Sequence, residues 1–108
     1  MSGVVVGLVT GPDREQLLRI GRALVEARLI ACLNVVEGVT SVYRWGGELQ
    51  EDPEALGILK TTTARVEAVE RRIRELHPYD VPEILFLSVA AGSEAYLAWV
   101  AEETRQAR

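Results

Sequence analysis

The stretch 31–63 constrains this chain more than any other part of it. Two β-rich arms, 31–45 and 48–63, flank Gly46-Gly47, and consecutive glycines supply the positive φ angles of a two-residue hairpin turn. The spacing predicts one long antiparallel hairpin. An arm of about 15 residues at ~3.3 Å per residue reaches roughly 50 Å, whereas a compact chain of this size is about 35 Å across. The ribbon must therefore overhang its own domain. Tyr43 and Trp45 lie close to its tip and cannot bury their rings on the ribbon alone, so the ribbon is expected to pack on another subunit. In the outgoing arm Leu33, Val35, Val39, Ser41, Tyr43 and Trp45 share one parity, and Gly38 marks a bulge or a close backbone approach. Pro53 has no N–H for a ladder, so the returning arm is expected to bulge or break at Asp52-Pro53 and to re-form over 55–62.

The rest of the chain supplies a domain for this ribbon. Residues 4–10 are continuously apolar and β-branched, as in a central strand. Gly11-Pro12 ends that strand. Asp13 then caps a helix to about residue 28, with Gln16 completing a capping-box pattern and Leu17, Ile20, Gly21, Leu24 and Val25 at helical spacing. After the hairpin, Thr62 or Thr63 is expected to cap a second helix with Val66, Val69, Ile73 and Leu76 as its apolar stripe, stopped by His77-Pro78. The run 83–89, bracketed by Pro82 and Gly92, predicts a buried strand, and Ser93 caps a last helix to about residue 103. The tail 104–108 is expected to fray. The order β-α-β-β-α-β is the split βαβ pattern of an α+β, ferredoxin-like sandwich, with an added C-terminal helix. Right-handed crossovers put both main helices on one face of a four-stranded antiparallel sheet.

Composition narrows the function. At 108 residues the chain is read as a single domain, 1–108, able to bury a core without staples. A net charge of −4 and a pI near 5.0 argue against nucleic-acid or membrane partners, which require a basic face. One cysteine fits a reducing compartment, and with no leader-like or spanning segment the expected location is cytoplasmic. There is no phosphate loop, no Cys-x-x-Cys and a single His, so no enzyme is expected.

Individual residues carry alternatives. Cys32 reads as a small apolar side chain in a strand, or else as a soft thiolate ligand for Cu(I). His77 reads as a cap at a helix C-terminus, or else as a metal or ligand contact. Tyr43 and Trp45 suit subunit packing or stacking on a small ligand. Lys60, in the sheet-bound part of the returning arm, must meet a carboxylate such as Glu83 or Glu51, or line a cleft that receives an anion. The acidic run Glu48, Glu51, Asp52 and Glu54 reads as a solvated face beside a turn, or else as a weak attraction for cations.

Five blocks resemble, in order and spacing, the CutA divalent-cation tolerance family: 31–34 (Ala-Cys-Leu-Asn), 40–48, 60–62 (Lys-Thr-Thr), 77–83 (His-Pro-Tyr-Asp-Val-Pro-Glu) and 96–99 (Tyr-Leu-Ala-Trp). The resemblance covers nearly the whole chain. It implies a ferredoxin-like homotrimer, similar in build to the PII signalling proteins and linked to tolerance of copper and other divalent metals. With it, Tyr43, Trp45, Lys60, Tyr79, Glu83 and Trp99 become candidates for a ligand cleft or subunit interface. Copper-binding relatives are described with a Cys in the turn after the first strand and a second His before the His-Pro-Tyr motif, where this chain has Gly11 and Leu76. That leaves His77, and less directly Cys32, as metal ligands. The implied protein requires no cofactor and binds copper or another divalent metal weakly, with micromolar affinity at best, about 8 kcal/mol. The alternative is a PII-like signalling or scaffold trimer whose ligand is an anionic metabolite.

Overall fold

The computed structural model describes residues 2–105. Its elements are β1 (Val4–Gly11), α1 (Arg14–Glu26), β2 (Cys32–Trp45), β3 (Glu48–Thr62), α2 (Val66–Leu76), β4 (Ile84–Ser88) and α3 (Glu94–Glu103), with one 3-10 turn (Thr63–Arg65) leading into α2. The four strands form one antiparallel sheet in the order β2-β3-β1-β4, the arrangement expected of the split βαβ pattern. β1 and β3 are central, as the apolar run of β1 predicts.

The hairpin is as long as its sequence implies. β2 and β3 have 14 and 15 residues, and Gly46 and Gly47 turn the ribbon at φ +60 and +82, angles that a side chain would resist. The longest dimension is 45 Å against 27 and 22 Å for the others. β1 pairs with β3 only as far as Gly11 opposite Ala55, so residues 48–54 form a two-stranded ribbon without further sheet neighbours among the described residues.

Two details of the ribbon correct the expectation. The ladder does not break at Pro53, which sits in register opposite Thr40. β1 has already ended there, so the other edge of β3 is open and a missing N–H removes no bond on that side. The irregularity lies instead on β2: Val36 pairs with Leu56 but Val39 with Glu54, three positions on one strand against two on the other. One extra residue is a β-bulge, and Gly38 takes its positive φ of +78 with no heavy atom near its missing side chain. It is therefore a bulge and not a close approach.

The bulge changes which side chains share a face. Alternation along β3 puts Ala55, Gly57 and Leu59 on the side of α1 and α2, and Asp52, Glu54, Leu56, Ile58 and Lys60 on the other. Before the bulge Cys32, Asn34 and Val36 oppose the second set; after it Val39, Ser41, Tyr43 and Trp45 do. Leu33 and Val35, grouped with Tyr43 by simple parity, belong to the helix-covered face.

That covered face holds the core. Val9, Leu17, Ile20, Leu24, Ile30, Leu59, Val69 and Ile73 are almost fully buried together. Asp13 caps α1 by accepting from Gln16 N at 2.9 Å, but the Gln16 side chain turns to Arg19 rather than back to the cap. Val25 stays exposed on α1. The expected Thr62 or Thr63 cap of α2 is absent, because Thr63 Oγ1 bonds Gly3 O at 3.2 Å instead. β4 is an edge strand rather than a buried one, with Ile84 and Phe86 against the core and Leu85 and Leu87 each 54% exposed.

α3 crosses the inner end of the second face. Val100 packs with Val4 and Ala31, Ser93 caps the helix through Tyr96 N, and Thr104 is buried, its hydroxyl on Val100 O at 2.8 Å. The chain is thus tied down through Thr104, where fraying was expected. The remainder of that expectation, residues 106–108, lies outside the described residues.

Candidate functional site

The side of the sheet away from α1 and α2 has two chemically different ends. At the inner end, beside α3, Lys60 stands opposite Cys32. Its ammonium donates to Asn34 Oδ1, and neither Glu83 nor Glu51, nor any other carboxylate, ion-pairs with it among the described residues. α3 brings the Tyr96 hydroxyl to 3.5 Å from Cys32 Sγ and the Trp99 ring to 5.5 Å from that of Tyr96. The contact with Cys32 and burial push the Tyr96 phenol up to about 12. Cys32 itself is half-buried.

The outer end is acidic and aromatic. Tyr43 donates to Asp52 Oδ2 at 2.6 Å, and Tyr79 to Glu54 Oε2 at 2.9 Å. The carboxylate next to each phenol disfavours a second negative charge there, so Tyr43 is raised chiefly by its bond to Asp52. Tyr79 is pushed up to about 12, first by burial and then by Glu54. Trp45 stands beyond them, opposite Glu48 and 61% exposed. Between the two ends lie Val6, Leu8, Leu56, Ile58, Leu85 and Leu87, an apolar stretch that the chain itself leaves partly or largely uncovered.

His77 holds the loop that carries Tyr79. The Thr10 carbonyl can only accept and the Tyr79 amide can only donate, so Nε2 carries the proton and donates to Thr10 O at 2.7 Å while Nδ1 accepts from Tyr79 N at 3.1 Å. The two rings also contact each other, 4.8 Å apart. Coordination of a metal by His77 would require one of these bonds to be given up. No group of three or more His, Cys, Asp or Glu side chains among the described residues is arranged to hold a metal ion.

Five of the six residues proposed for a cleft or interface therefore fall into two sets in one chain. Lys60 and Trp99 belong to the inner end; Tyr43, Tyr79 and Trp45 belong to the outer end and tip. Glu83 is exposed just before β4 and forms no ion pair among the described residues. Asn34, Asp52, Glu54 and Tyr96 were not singled out as partners in the sequence. Asn34 becomes legible once the hairpin register places Cys32 against Lys60, whereas Tyr96 depends on where α3 crosses the sheet.

The comparisons with known proteins agree with this architecture. A family model described as CutA1 divalent ion tolerance protein matches residues 5–103. The chain belongs to the CutA family. A CutA divalent-cation tolerance protein of Thermus thermophilus is 50% identical over 99 residues, covering 92% of this chain and 96% of its own length. The solved structure of a Thermus thermophilus divalent cation tolerance protein superimposes with a TM-score of 0.92 at 48% identity, covering 94% of this chain and 99% of the other. A relative from Arabidopsis thaliana named as a chloroplastic CutA protein is 40% identical over 101 residues, and this chain spans 56% of its length. CutA is a family of divalent-cation tolerance proteins. No helix among the described residues is long and apolar enough to cross a membrane.

Proposed function

We propose that this CutA protein works as a homotrimer whose subunits meet through the uncovered side of the sheet, and that its part in cation tolerance is to bind a divalent metal ion or a small ligand in the clefts between subunits. The observation that carries this reading is the apolar stretch between the two polar ends, continued onto the ribbon by Tyr43 and Trp45. Leu85, Leu87 and Trp45 are each more than half exposed, and an apolar surface of this extent is characteristic of an interaction face. The two sheet edges, β2 and β4, differ, so a contact between them is head-to-tail, the kind that forms a ring when its rotation closes. The family resemblance gives three as its size. In such a ring the carboxylates of Asp52 and Glu54 would come together with groups of a second copy, and oxygen ligands of this kind suit hard divalent ions. Sedimentation equilibrium should give three times the chain mass, with Cu(II) and Zn(II) binding measured by calorimetry on the same sample. A monomer would overturn the reading.

The second reading, an anionic metabolite as ligand, is favoured by one observation: Lys60 is half-buried yet meets an amide rather than a carboxylate.

A further inference from the structure

We propose that the corner between α3 and the inner end of the sheet, formed by Lys60, Asn34, Tyr96 and Trp99, binds an organic anion whose charged head carries a flat apolar ring. This rests on the second reading above and names the site and the class of ligand that it lacks.

The argument begins with charge. Lys60 lies near the C-terminal end of β3, flanked in register by Val6 on β1 and Cys32 on β2. Its side-chain partner among the described residues is Asn34, so the charge is not neutralised within the chain. Asn34 is neutral, and it satisfies one of the three ammonium protons. The same bond orients the amide: with Oδ1 turned to Lys60, the Asn34 NH2 group is left to donate elsewhere. Two donor groups, Lys60 and Asn34, thus share one small patch of strand, and neither faces a carboxylate among the described residues. A donor-only patch selects an anion.

The wall beside it defines the rest of the ligand. Tyr96 and Trp99 present tilted rings 5.5 Å apart, 41% and 43% exposed, on the same helix that closes the corner. Tyr96 is anchored to β2 through Cys32, so the rings are held next to the donors rather than free on a surface. An aromatic wall adjoining a cationic donor pair suits a ring with an acidic substituent. Carboxylate and phosphate heads share this chemistry.

Calorimetric titration of the assembled protein with benzoate, phenyl phosphate, inorganic phosphate and neutral benzamide tests the proposal. One or both ring-bearing anions should bind, about tenfold more tightly than inorganic phosphate because of the ring contact, and benzamide should not. The stronger of the two identifies the head group. Lys60→Met and Asn34→Ala should each weaken binding about tenfold or more, as expected for lost bonds to a charged group, while Lys60→Arg, which keeps the charge should Lys60→Met fail to assemble, should retain it. Binding that survives Lys60→Met and Asn34→Ala would overturn this site and leave the anion reading standing. No binding by any of the anions at millimolar concentration would overturn both, and would assign the Lys60 charge to a carboxylate of a second copy.

Discussion

The Tyr79 hydroxyl donates to Glu54 Oε2 at 2.9 Å, joining the loop after α2 to the root of the ribbon across 25 positions of sequence. The bond exists because His77 fixes the Tyr79 backbone from one side while β3 presents Glu54 from the other. It makes the attachment of the ribbon sensitive to alkaline pH. Tyr79 ionises at about 12 in the folded chain against 10.0 for a free tyrosine. Between these values the unfolded chain loses a proton that the folded chain keeps, so the stabilisation is whole below pH 10 and declines as pH rises towards 12. Solvent screening at a residue 37% exposed keeps the effect small. Denaturant midpoints across this window should fall, and Tyr79→Phe should flatten the fall. Some slope will remain, since Tyr96 is pushed up to about 12 as well. An unchanged slope in Tyr79→Phe would exclude Tyr79 as its source.

The bulge at Gly38 sets the phase of the ribbon. Gly38→Ala should cost about 1 kcal/mol, since the site is sterically open but its positive φ disfavours a Cβ. Deleting Gly38 is predicted to do something different. It removes the extra residue and leaves a regular ladder, with Glu37 opposite Ala55 and Val39 still opposite Glu54, so Tyr43 and Trp45 keep their face and assembly should be retained, with only the local kink of the ribbon lost. Sedimentation velocity should find both variants assembled, and a deletion mutant that folds but stays monomeric would show that the kink at the bulge, and not only the face of Tyr43 and Trp45, is needed for assembly.

Truncating the aromatic tip should weaken association without unfolding the domain, because the ribbon lies outside the core of Leu17, Leu24, Leu59 and Ile73. Tyr43→Ala with Trp45→Ala should cost several kcal/mol per assembly if each ring is buried between subunits at about 3 kcal/mol. The measurement is sedimentation on serial dilution, where the double mutant should dissociate at concentrations that leave the wild type intact. By contrast, Leu59→Ala in the core should lower thermal stability itself by about 2–5 kcal/mol.

Much of this was legible in local signals. Gly46-Gly47, the caps at Asp13 and Ser93 and the order of elements all act over a few residues, and the structure reproduces them. Relations that depend on register were not. Gly38 marked the bulge in the sequence, but its effect on which side chains share a face follows from the pairing of Val36 with Leu56 and Val39 with Glu54, and no property of either arm alone contains that count. Pro53 looked disruptive only because the point where β1 ends was unknown. Lys60 was expected to meet a carboxylate such as Glu83 or Glu51, or to line a cleft that receives an anion; its neighbour is Asn34, and that pairing depends on β2 and β3 lying in one particular alignment. The exposed Leu85 and Leu87 read as buried because apolar runs do not reveal whether the covering surface belongs to the same chain.

His77 provides the last prediction, where its family association with metals and its bonding in this chain point to different experiments. Both ring nitrogens are engaged, Nε2 with Thr10 O and Nδ1 with Tyr79 N, and the side chain is only 8% exposed. A ligand role needs a lone pair, and the one on Nδ1 already accepts the Tyr79 amide. His77→Ala should therefore act first on stability, at about 2 kcal/mol for a buried carbonyl and amide left without partners. It should also loosen Tyr79 from Glu54, which the Tyr79 alkaline titration will register as a shift back towards 10. Cu(II) titration of the same variant at pH 7 is expected to match the wild type, with affinity no better than micromolar in both. Loss of Cu(II) binding in His77→Ala with thermal stability unchanged would reverse this assignment and make the imidazole a ligand that releases Tyr79 when it binds.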